Sequence, residues 1–148
     1  MNDFESGLNS LLTELFNNVL KFEEQSIKTW DVPITITEVH IIEAVNNQEN
    51  TTTSKIAAEL NIAMPTATVA VKKLEQKSLI EKTPCPDDRR SAIIKLTDMG
   101  KKINRLHQLF HRRMIRNVSK QIASAERDVL LRAVQTLNLF FRARIEAL

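Results

Sequence analysis

Apolar residues recur at spacings of three and four through Leu8, Leu11, Leu12, Leu15, Phe16, Val19 and Leu20. This period predicts an amphipathic helix over residues 3 to about 28. Pro33 interrupts the run, because the residue before a proline is pushed into extended geometry. Thr35 followed by Glu38 has the form of a capping box and opens a short helix with Val39, Ile42 and Val45 inward. After a polar loop over 46–50, a second short helix runs from about Thr53 to Leu60, with Ile56, Ala57 and Leu60 inward. Pro65 suits the first position of a third, where its missing N–H would be unpaired in any case. That helix places Ala67, Ala70, Val71 and Leu74 on one face and Thr66, Thr68, Val69, Lys72 and Lys73 on the other. Leu79 to Thr83 and Ala92 to Leu96 predict two isoleucine-rich strands, joined by a tip with two prolines and two arginines. Thr97 then caps a long helix striped by Ile103, Leu106, Phe110, Met114, Val118 and Ile122. Ser124 starts the last helix, with Leu130, Val134, Leu137, Phe141, Ile145 and Leu148 in register.

The order helix, three short helices, hairpin, two long helices predicts a mainly α fold with a small β-hairpin wing. We read one domain over 1–148: a winged helix-turn-helix lobe at 31–100, with 1–30 and 101–148 as a helical dimerisation region. No internal repeat, low-complexity tract or long linker divides it. A chain of 148 residues cannot readily cover three long apolar stripes by itself. A second copy would cover them, at about 25 cal/mol per Å² of apolar area buried, so a homodimer is expected.

Composition removes most enzyme classes. Glycine occurs only as Gly7 and Gly100, too few for a phosphate-cradling loop. Cys85 is the single cysteine, which excludes a disulfide framework, a Cys-x-x-Cys pair and a thiolate zinc cage. Tyrosine is absent and there are three histidines, few parts for acid–base chemistry. The first residues lack the basic start and apolar run of a signal peptide, and no stretch is apolar enough for a membrane span. A cytoplasmic protein without catalytic activity or cofactor is expected.

The net charge of +3 conceals a strong asymmetry. Residues 1–50 hold 9 acidic and 2 basic side chains, whereas residues 51–120 hold 15 basic and 6 acidic. A basic middle between less basic flanks points to a polyanion, with a solvated lysine-rich helix face as the plainer alternative. A recognition helix needs small or polar outward side chains near its N-terminus to enter the major groove. Pro65, Thr66, Thr68 and Val69 meet that need, and the Thr and Val methyls can touch thymine. Lys72 and Lys73 could meet phosphates or a guanine edge, and Arg90 is the candidate for a narrow minor groove.

Three stretches carry a family resemblance. Ser54-Lys55-Ile56-Ala57-Ala58-Glu59-Leu60, Thr66 to Ile80 with Leu74-Glu75, and Asp88-Arg89-Arg90 with Ile93-Ile94-Lys95-Leu96-Thr97 and Gly100 together resemble the MarR family of bacterial transcription regulators. The resemblance covers nearly the whole chain and implies a double-stranded, pseudo-palindromic DNA operator. It adds Ser54 and Lys55, on the helix before the turn, to the DNA-facing residues. It also implies that Asp88 braces an arginine while Arg89 supports the wing or touches phosphate; a plain hairpin salt bridge is the alternative. Ser78 departs from the pattern, standing where the family usually has glycine.

Within the family, Phe16-Asn17-Asn18-Val19-Leu20 with Glu23-Glu24, and Arg105-Leu106-His107 with Phe110-His111 and Met114, look most like the fatty-acid-synthesis repressors of Gram-positive bacteria. That branch implies acyl carrier protein bearing a long acyl chain as co-repressor, for which Arg112 and Arg116 are candidate contacts. His40, His107 and His111 are expected to shape an effector site. Their placement also resembles the zinc-sensing branch, where Glu23 or Glu24 could supply an oxygen. The second, cysteine-containing site of that branch has no match here, so no metal is assigned. Ordinary hydrogen-bonded histidines at a helix interface, and a solvated or dimer-linking arginine face, are the remaining readings. Cys85 beside Arg89 and Arg90 is a minor candidate for oxidation sensing.

Overall fold

The first helix, α1 (Asp3–Lys28), opens on a capping box at Asn2, whose side-chain oxygen accepts the Glu5 N–H at 2.8 Å. The computed structural model describes all 148 residues. Only Glu23 and Ile27 of α1 are buried, and Leu11, Leu15 and Phe16 are at least 60% exposed. Thr35 caps α2 (Ile36–Asn47) as expected: its hydroxyl accepts the Glu38 N–H, and the Glu38 carboxylate accepts the Thr35 N–H at 3.0 Å. The third helix, α3 (Thr53–Leu60), ends at Asn61 with φ 50°, a left-handed conformation that asparagine tolerates. Pro65 sits in the first turn of α4 (Met64–Gln76), which starts one residue earlier than the proline signal predicts. Its buried residues are Ala67, Ala70, Val71 and Leu74, the predicted set.

Strands β1 (Ile80–Pro84) and β2 (Ala92–Leu96) pair antiparallel, with Ile80 opposite Leu96 and Pro84 opposite Ala92. The first strand starts at Ile80 rather than at the predicted Leu79, because the Leu79 backbone is used elsewhere. Its N–H donates to the Leu74 carbonyl at 3.0 Å and its carbonyl accepts the Thr97 N–H at 3.1 Å. Thr51, fully buried just beyond the polar loop, adds an unpredicted rung by accepting the Ile94 N–H at 2.8 Å. The long helices are α5 (Asp98–Gln121) and α6 (Ser124–Glu146).

The chain forms two compact units, Met1–Gln108 and Leu109–Leu148. The boundary between these two units falls inside α5. The reason is that Gly100, Ile103, Asn104 and His107 of its early turns are buried, and Ile103 belongs to one core with Ile41, Ile42, Ile56, Val71, Leu74, Leu79 and Ile94. In the second unit α6 buries none of its residues; Leu131, Leu139, Phe141 and Ile145 are all more than half exposed. No helix is long and apolar enough to cross a membrane.

The joint from α4 to β1 explains two residues of the sequence pattern. Ser78 adopts φ 57°, the left-handed turn for which glycine is the usual choice. Its carbonyl accepts the Thr97 hydroxyl at 2.8 Å, and that hydroxyl in turn accepts the Gly100 N–H at 3.1 Å, capping α5. Gly100 lies so close beneath Leu79 that an added Cβ would overlap the Leu79 carbonyl. Relieving Ser78 of a side chain in the left-handed region should outweigh the added freedom of the unfolded chain. Ser78→Gly is expected to raise stability by about 0.5–1 kcal/mol in urea unfolding; a loss of stability would show that Ser78 is unstrained.

Candidate nucleic-acid interface

Four buried apolar residues anchor α4 and turn Thr66, Thr68, Val69, Lys72 and Lys73 to solvent, together with Pro65. Val69 is 55% exposed, an apolar side chain left on an otherwise polar surface. Ala63, at the start of α4, makes no side-chain cap to its first N–H groups. Uncapped N–H groups at a helix start favour a phosphate oxygen. On α3, Ser54 and Lys55 are exposed; Lys55 Nζ donates to the Asn50 carbonyl at 3.2 Å, which ties it to the loop before the helix.

The hairpin tip is pinned by Asp88, in a way that differs from the expectation. Its carboxylate braces no guanidinium. Instead, Oδ1 accepts the Arg90 backbone N–H at 2.9 Å and Oδ2 accepts the Ser91 hydroxyl at 3.0 Å. A short aspartate reaches the backbone two residues on more readily than the far end of a long side chain. Ser91 N–H also donates to the Asp88 carbonyl, and Cys85 N–H to the Ser91 carbonyl, each at 3.1 Å. Arg89 and Arg90 consequently project from an ordered turn and are exposed. Arg90→Ala is expected to weaken binding to operator DNA by about 1–3 kcal/mol in an anisotropy titration. An unchanged affinity would remove the wing tip from recognition.

A second feature sits in the same unit. Glu23 of α1 is 4% exposed, and its Oε1 lies 2.6 Å from His107 Nε2 and 3.1 Å from His40 Nε2. His107 is 1% exposed, with Nδ1 3.6 Å from a Glu43 carboxylate oxygen, and the His40 and His107 ring centres are 5.7 Å apart. Burial alone would raise the Glu23 pKa, but the hydrogen bonds from His107 and His40 and their charge outweigh it, so the carboxyl is held below its ordinary value. Of the two candidate glutamates, Glu24 is exposed and pairs with Lys28 at 3.3 Å, so Glu23 alone enters the cluster. Its register with Val19 and Ile27, four residues either side, was the available sign. Glu43 was missed, although it lies three residues from His40 on the same side of α2. His111, Arg112 and Arg116 belong to the second unit, where His111 packs edge-on to Phe110 at 5.3 Å and both arginines are exposed.

Helices α3 and α4 followed by the β1–β2 hairpin make a winged helix-turn-helix, the architecture of a DNA-binding regulator. Residues 34–92 match the MarR family. A crystal structure of Streptococcus pneumoniae FabT in complex with DNA is similar over 94% of this chain and 98% of that one, with 31% identity and a TM-score of 0.88. The chain belongs to the MarR family. The transcriptional regulator AdcR of Streptococcus pneumoniae is 26% identical over 142 residues, covering 93% of this chain and 97% of AdcR. The HTH-type regulator YvnA of Bacillus subtilis is 25% identical over 112 residues, covering 76% of this chain and 69% of YvnA. The chain spans about half the length of two further Bacillus subtilis regulators that it matches. It is a transcriptional regulator and not an enzyme.

Proposed function

We propose that the protein is a dimeric, sequence-specific repressor acting in the cytoplasm on a pseudo-palindromic operator. The observation that carries this is α4, whose buried alanine face turns Pro65, Thr66, Thr68, Val69, Lys72 and Lys73 outward beside a wing that presents Arg90. A second copy laid on the exposed apolar residues of α1 and α6 would remove them from water. Two lobes held about one helical turn apart then reach successive major grooves. A ligand that favours that spacing is a co-repressor, and one that favours another spacing is an inducer.

The pathway we favour is fatty-acid synthesis, with long-chain acyl carrier protein as co-repressor and Arg112 and Arg116 as basic contacts for an acidic partner. The likeness to FabT supports that branch. The test is an anisotropy titration on the promoter of the protein's own gene, with acylated and unacylated carrier. Tightening by the acylated form alone is the expected result, and indifference to both would overturn the pathway assignment.

The Glu23 cluster favours a second reading, a zinc-responsive regulator. A buried carboxylate with two convergent imidazoles fits the donor chemistry of zinc. Glu23, His40 and His107 would hold the ion. The metal would supply a charged crosslink between helices. Promoter affinity that changes on chelation and returns with zinc would move the function to this reading.

A further inference from the structure

From the contacts around the joint between α4 and β1, we infer that Glu38 and Lys77 are a positioning pair that fixes the recognition helix relative to the wing. The inference rests on the DNA-binding reading above.

Lys77 is the residue at which α4 ends. Its ammonium donates to both oxygens of Glu38, at 2.9 and 2.7 Å, although the two residues lie 39 apart in sequence. Glu38 is 3% exposed, and the oxygen nearer the ammonium also accepts the Thr35 N–H at 3.0 Å. One carboxylate therefore caps α2 and tethers the end of α4. Immediately beyond Lys77, Ser78 turns left-handed and its carbonyl accepts the Thr97 hydroxyl, while the Leu79 carbonyl accepts the Thr97 N–H. The three residues 77–79 are thus held from one side by α2 and from the other by the start of α5. Chain leaving this joint goes directly into β1 and on to the tip that carries Arg90.

An ion pair between a buried carboxylate and a lysine whose side chain is 31% exposed contributes little net stability, since desolvation of the carboxylate offsets most of the attraction, but it does select one geometry. The recognition helix and the wing are two contacts on one duplex, and the second adds most when the first already holds it in place. Loosening the joint should weaken their cooperation while leaving each surface intact. Lys77 is not among the groove-facing residues of α4, so its replacement should not remove a phosphate contact.

The experiment is a double-mutant cycle in the full-length protein with Lys77→Met and Arg90→Ala. Affinities for the protein's own promoter and a scrambled duplex are measured at several salt concentrations, and Lys77→Arg serves as the conservative control. We expect Lys77→Met to lower promoter affinity about tenfold, to leave scrambled-DNA affinity within twofold, and to keep the salt slope. The cost of Arg90→Ala should shrink by at least threefold in the Lys77→Met background, and Lys77→Arg should restore it. Multiplicative losses, or a salt slope reduced by one, would overturn the positioning role. Amide exchange without DNA gives a separate readout: Lys77→Met should speed exchange at Ser78 to Glu81 by tenfold or more, and unchanged protection there would overturn the clamp. Wild-type protein that does not prefer its promoter refutes the operator assignment, and the exchange result still decides the clamp.

Discussion

Gly100→Ala is expected to cost about 3 kcal/mol, the upper range for overpacking a filled interior. The new methyl would overlap the Leu79 carbonyl oxygen and lie 3.2 Å from its carbon, and both are backbone atoms. A flexible side chain could move aside, but this carbonyl is held by the Thr97 N–H at 3.1 Å. The residue after α4, the start of β1 and the cap of α5 would all have to shift together. Thermal unfolding followed by circular dichroism should show a midpoint lower by about 10 °C for a chain of this size. The control is Gly7→Ala, which meets nothing within 4 Å and sits in the solvated first turns of α1. There the change should be neutral or slightly stabilising, since alanine is the better helix former by about 1 kcal/mol. Equal effects at the two glycines would refute the close approach.

Glu23→Ala is expected to cost about 2 kcal/mol at pH 7 with chelator present, because it leaves a fully buried His107 Nε2 without its acceptor. The pH dependence has a definite sign. The folded pKa of Glu23 lies below the ordinary 4.5, so its stabilisation is complete above that value and is lost as pH falls through the folded pKa. Urea unfolding of both proteins, stepped downward in pH, should show the gap closing once the pH falls below 4.5. A gap that stays constant into the acid range would mean that the carboxylate charge plays no part in holding the two histidines.

Sequence signals agree with the structure where the physics is local. The Thr35 and Glu38 capping box, the break at Pro33 and the inward face of α4 depend on residues within a turn or two of each other. The failures involve partners distant in sequence. Whether Glu23 or Glu24 enters the histidine cluster depends on His107, 84 residues away, whose ring takes one carboxylate and leaves the other to Lys28. Thr51, just beyond the polar loop, carries no local signal of strand pairing until β2 supplies Ile94 as its partner. Leu79 reads as strand by composition, yet its carbonyl is taken by Thr97. The family resemblance implies an arginine partner for Asp88, whereas reach decides the matter in favour of the nearby backbone. The sequence marks Glu38 as a cap; its second role depends on Lys77, 39 residues away.

The outer edge of β1 has a bearing on solubility. A two-stranded wing held out in solvent offers a ready template for strand addition by another chain. On the β2 side, Thr51 already occupies the Ile94 position. The exposed run of β1 is Glu81, Lys82, Thr83 and Pro84: two opposite charges, then a residue with no N–H to give. An intruding strand would have to bury the Lys82 ammonium, now 3.2 Å from Glu75, and would find no donor at Pro84. These features oppose strand addition at this edge, and Pro84→Val with Lys82→Val should make the protein aggregate before it loses its fold.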